Sequence, residues 1–179
     1  MSIKIRIGKD KTEFLISADD LQRVNRWKVM IDAKVYKHEI ESGKLGARKL
    51  PEHIIKSMQL GAEETGKEIP YYGSIGIGYI YKLRFTGTGS LLEVISLATK
   101  DSLEIVNPSD EKKKEKKTIM FVLSSKETKR MIEWKSAEEG QGEEDDYLYE
   151  FCPTGIECFS IIRNLKTGSQ IGLTDIENL

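Results

Sequence analysis

Apolar residues recur at every second position from 75 to 85, as Ile75, Ile77, Tyr79, Tyr81, Leu83 and Phe85. That period places them on one face of a strand. The other face carries Ser74, Gly76, Gly78, Ile80, Lys82, Arg84 and Thr86, passing from bare backbone to basic side chains. Glycines at alternate strand positions give up packing and cost backbone entropy, which predicts a bend or a close approach at Gly76 and Gly78. Gly87-Thr88-Gly89-Ser90 predicts a hairpin turn. The return run over 91–99 is apolar on both parities through Leu91, Leu92, Val94, Ile95 and Leu97, the pattern of a strand covered on both faces. A third strand is expected over 102–106, stopped by Asn107-Pro108.

Upstream, Ile3, Ile5 and Ile7 alternate with Lys4 and Arg6, and a Gly8-Lys9-Asp10-Lys11 turn leads into a partner strand over 12–16. Ser17, three residues before Asp20, marks an N-cap, and the spacing predicts a helix over about 18–42 closed by Gly43. This helix has one stripe of Leu21, Val24, Trp27, Ile31 and Val35 and a second of Val29, Ala33, Tyr36 and Ile40. A surface helix needs only one, so the second stripe predicts cover by another element or by a partner. Pro51 followed by Ile54, Ile55, Met58 and Ala62 predicts a second helix over about 51–65.

Downstream, the continuous apolar run within 118–123 predicts a buried strand, and Ser124 with Glu127 forms a capping box for a short third helix near 126–136. Segments 147–151 and 156–162 predict a last hairpin. Together these elements predict an α+β fold: an antiparallel sheet of about seven to eight strands, with the two earlier helices packed on one face.

Charge changes this picture only locally. The 28 Lys and Arg against 29 Asp and Glu give a net charge of −1, so no global field draws the chain to nucleic acid or an anionic membrane. Its 179 residues suit a single domain, 1–179. The absence of a long apolar run and the strand-like start point to a soluble, cytoplasmic protein. Two charged stretches, near 109–117 and 138–146, have nothing to bury and are expected to be mobile loops. The carboxylates of the second lack the spacing of a calcium loop.

No catalytic, metal or nucleotide signature stands out. Gly73-x-x-Gly76-x-Gly78 precedes a strand where a phosphate loop would need a helix N-terminus. The two histidines, His38 and His53, lie on predicted helices, and Cys152 and Cys158 have no neighbouring histidine to complete a zinc site. Neither cofactor nor metal is expected. The function expected is a non-catalytic protein-binding module, of the kind of a small intracellular inhibitor, an immunity-type protein or an assembly adaptor. Its contact residues would be Tyr36 on the two-striped helix, Tyr71, Tyr72, Gly76 and Gly78 at the glycine-notched strand, and Lys82 and Arg84 beyond it. An acidic rim of Glu143, Glu144, Asp145 and Asp146 would meet a basic partner. The alternative is single-stranded nucleic-acid binding through Lys82, Arg84 and the lysine-rich loop, and a second alternative is an enzyme of unknown class.

Overall fold

The computed structural model describes residues 3–41, 78–108, 117–137, 142–153 and 158–174. The predicted first hairpin is β1 (Lys4–Ile7) and β2 (Thr12–Ser17), followed at once by α1 (Ala18–Glu41). The central meander is β3 (Tyr79–Thr86), β4 (Gly89–Ser96) and β5 (Ser102–Pro108). Then come β6 (Lys117–Leu123), α2 (Ser125–Ala137), a 3-10 turn (Glu144–Asp146), β7 (Tyr147–Pro153), β8 (Cys158–Asn164) and β9 (Gln170–Gly172). Both helix starts follow their local rules. The Ser17 hydroxyl accepts the Asp20 amide at 3.1 Å. Ser124 and Glu127 close a reciprocal box, at 3.3 Å into the serine hydroxyl and 2.8 Å into the carboxylate.

The α+β class with antiparallel pairing is as expected, but the described strands number nine and make two sheets instead of one. The smaller runs β1-β2-β6 and the larger β5-β4-β3-β7-β8-β9. The division arises because β6 pairs with β2, from Thr12↔Leu123 to Ser17↔Lys117 with a bulge between Phe14 and Leu15, instead of extending the meander. The predicted helix over 51–65 and the strand positions Ile75 and Ile77 lie outside the described residues.

Aromatic side chains join the sheets. Phe14 of β2 meets Phe151 and Tyr149 of β7 edge-on, with centroids 4.8 and 5.0 Å apart, and Phe121 of β6 stacks on Phe151 at 4.3 Å. Tyr79, Tyr81, Leu83 and Phe85 are all buried beneath this layer, as the alternation of β3 predicts. Helix α1 buries Val24 and Ile31 and sets Trp27 against Tyr79; α2 buries Met131 and sets Trp134 against Tyr147. The small sheet and both helices therefore pack on the same face of the large sheet.

Two strands depart from expectation. β4 is covered on one face only, with Leu91, Glu93 and Ile95 half-exposed on the other. β6, expected to be buried, is an edge of the small sheet among the described residues, with Ile119 and Val122 exposed. A continuous apolar run signals burial on two faces only where two layers are present to cover it.

Candidate functional site

The registers of the large sheet define its outer face. One row across the strands reads Glu104 of β5, Glu93 of β4, Lys82 of β3, Glu150 of β7 and Ile161 of β8. The row beside it reads Val106, Leu91, Arg84, Leu148 and Arg163. At the far end Ile95 pairs with Ile80, and Phe159 with Cys152. None of the described elements lies across these rows. A solvated antiparallel face ordinarily alternates apolar-in with polar-out. Here Val106 is 67% exposed, Phe159 40% and Ile161 36%, and Ile80, Leu91, Ile95 and Leu148 are half-exposed between them.

Lys82 and Arg84, singled out in the sequence, both lie on this face. Lys82 Nζ sits between Glu93 at 3.8 Å and Glu150 at 4.0 Å, and Arg84 Nε donates to the Asp145 carbonyl at 3.4 Å. Gly78 lies just before β3, where its carbonyl accepts the Leu97 amide at 3.0 Å. A Cβ there would come within 2.7 Å of Leu97 Cδ1, so the space over Gly78 is taken by this chain's own leucine. Tyr71, Tyr72 and Gly76 lie outside the described residues. Tyr36 belongs to α1, and its side chain is likewise outside them.

In the acidic run Glu143 is exposed, Glu144 and Asp145 are half-exposed and Asp146 is buried. Residues 143–146 are drawn into the 3-10 turn, where the Asp146 carboxylate accepts the Glu143 amide at 2.8 Å and the Lys166 ammonium at 2.6 Å. Glu144 accepts from Lys135 at 2.9 Å. Arg84, Lys135 and Lys166 thus reach the turn from three separate segments. The Asp146 carboxylate, first through its hydrogen bond, holds the Lys166 ammonium above its usual pKa.

Each helix is pinned to a tyrosine by a lysine and a carboxylate. Lys135 of α2 also donates to the Tyr149 hydroxyl at 2.5 Å and lies 4.2 Å from the centre of the Tyr147 ring, while the Tyr149 hydroxyl donates to Glu144. In α1, Lys28 lies 4.8 Å from the centre of the Tyr79 ring, whose hydroxyl donates to Asp32. Burial lowers the Lys135 ammonium from its usual range, against the pull of Glu144. Burial first, then the Glu144 charge, raises the Tyr149 hydroxyl well above the ordinary tyrosine value. A phenol so held keeps its proton near neutrality and gives it up poorly, so it serves here as a hydrogen-bonding group.

A cavity of about 210 Å³ opens between β6, the start of α2 and β8, lined by Val122, Leu123, Glu127, Phe151, Cys158 and Ser160. Its polar groups are engaged with one another. The Glu127 carboxylate caps Ser124, its other oxygen accepts from Ser160 at 3.5 Å, and the Ser160 hydroxyl also contacts Thr174 at 3.3 Å. Strand parity directs Cys152 and Cys158 to opposite faces of the sheet, Cys152 opposite Phe159 and Cys158 opposite Pro153. Among the described residues there is no cluster of three or more metal-ligating side chains, and no helix is long and apolar enough to cross a membrane.

Comparison with known proteins finds no matching family model, no matching curated protein and no matching solved structure.

Proposed function

We propose that the chain is a non-catalytic protein-binding module that docks its partner on the outer face of the large sheet. The observation that carries this reading is the mismatch in β4. Its sequence is apolar on both parities, yet the described structure covers only the face of Leu92 and Val94. Leu91 pairs with Val106 of β5, and Leu148 of β7 and Ile161 of β8 lie on the same outer face beyond Lys82 and Arg84 of β3. The cost of leaving such side chains in water, about 25 cal/mol per Å² of apolar surface, supplies a driving force for association. The charges among them suit a folded protein surface of mixed charge better than a lipid surface or a polyanion.

The nucleic-acid reading draws less support from this geometry. Single-strand binders present aromatic rings beside basic groups on one open surface, whereas Tyr79, Tyr81 and Phe85 point into the core and Lys82 is flanked by two carboxylates. A photoreactive residue placed at Ile161 or Val106 and irradiated in cells tests the docking surface. Discrete protein adducts are expected from these positions and not from Ser136 on the exposed side of α2. Equal labelling at all three, or none at either sheet position, would overturn the reading.

A further inference from the structure

The outer face is neutral as a whole but ordered in its charges. Glu93, Glu104 and Glu150 balance Lys82, Arg84 and Arg163, and all three carboxylates share one row with Lys82. The six strands divide evenly about the seam between β3 and β7, with β4 and β5 on one side and β8 and β9 on the other. Lys82 and Glu150 face each other directly across that seam.

From this we infer that the partner is a second copy of the chain, packed face to face about a two-fold axis lying in the interface along the β3–β7 seam. The inference rests on the docking surface proposed above. A rotation about that axis exchanges the two sides of the sheet, so Lys82 of each copy meets Glu150 of the other, twice per dimer. The same rotation sets Glu93 against Ile161 of the second copy, with Arg163 on the diagonal, and Leu91 against the stem of Arg163. An isologous contact must be self-complementary, and this face satisfies that at its centre.

The size is adequate. Five of the six strands are seven or eight residues long. With strands about 4.8 Å apart and about 3.4 Å per residue, the face measures roughly 600 Å² in plan. Side-chain relief brings this toward the ~800 Å² of accessible surface that each partner of a standard interface buries. Two antiparallel sheets packed this way would align within about 30°.

Sedimentation of charge-reversed variants tests the pairing. Wild type is expected to sediment at twice its 20.3 kDa chain mass. Lys82→Glu alone and Glu150→Lys alone each place like charges across the axis and should weaken self-association at least about tenfold. An equimolar mixture of the two should dimerise again, because the heterodimer restores both pairs. Repair of the pair within one chain cannot produce that result. If circular dichroism shows either variant unfolded, Ile161→Glu, at an exposed position facing Glu93, takes its place and should also give a monomer. A wild-type monomer at every concentration, or folded single variants that fail to associate on mixing, would overturn the dimer. Photo-adducts from Ile161 at masses other than twice the chain would then leave the docking surface standing with a different occupant, whereas no adducts at all would remove both.

Discussion

Phe121 lies flat on Phe151, with ring planes within 5° and centroids 4.3 Å apart, and this contact ties the edge of the small sheet to the middle of the large one. Phe151 also receives the edge of Phe14 and is 2% exposed. Truncating Phe151→Ala would remove both contacts and leave a cavity that neither sheet can close alone. Urea unfolding should show a loss of about 3–5 kcal/mol, while Phe151→Leu should lose less. A loss below about 1 kcal/mol for the alanine variant would mean that the sheets are not held together at this point.

Asp32 gives a pH dependence with a definite sign. Burial holds its carboxyl above the ordinary 3.8, and the Tyr79 hydroxyl and Lys28 ammonium pull it down without cancelling that effect. The native chain therefore binds more protons than the unfolded chain between the ordinary value and the raised one. Its stabilising contribution is full below that window and is lost as pH rises through it. Asp32→Asn keeps an acceptor for Tyr79 and carries no charge to desolvate. Its melting temperature should exceed that of wild type at neutral pH, with the difference vanishing under acid conditions below the carboxylate range. A variant less stable than wild type at neutral pH would show that the Lys28 and Tyr79 interactions outweigh burial.

The elements that local rules govern were legible in the sequence. The alternation of β3 fixes which of its residues face inward, and Ser17 and Ser124 announce their helices, because strand period and capping act over two to four residues. The pairing of β6 with β2 was not legible, since no local period records that Phe121 will find Phe14 across more than a hundred positions. The same limit explains the acidic turn. Residues 143–146 look like a solvated charge run because their cations, Arg84, Lys135 and Lys166, come from three distant segments. β9 is three residues long and too short to show a period. Of the site, Lys82 and Arg84 could be read as outward-facing, but their neighbours from β5, β7 and β8 required the strand order.

Lys100 is the one non-glycine residue with positive φ among those described, at 64°, in the turn between β4 and β5. Its amide donates to Ser96 and the neighbouring Asp101 carbonyl accepts the Ser96 amide, both at 2.9 Å, so the turn is fixed by its hydrogen bonds and the side chain has to accept the conformation. A Cβ in the left-handed region costs about 1–2 kcal/mol, part of which glycine returns through its greater unfolded-state freedom. Lys100→Gly should therefore stabilise the protein by about 0.5–1 kcal/mol in chemical denaturation. A destabilised variant would show that the lysine side chain contributes contacts exceeding that strain.

The Lys135–Glu144 pair tests how α2 is held to the large sheet. Lys135 is 15% exposed at its side chain and Glu144 36%, and both also engage the Tyr149 hydroxyl. Lys135→Met leaves the carboxylate beside a buried phenol without its cation, and should cost about 1–3 kcal/mol. Glu144→Gln leaves the ammonium, already disfavoured by burial, facing a neutral amide. Each single change strands one charge, but the double change strands neither, so its cost should fall short of the sum by more than about 0.5 kcal/mol. Unfolding free energies of the four proteins measure that coupling. Strict additivity would mean that solvent screens the pair and that Trp134 and Met131, through packing alone, anchor the helix.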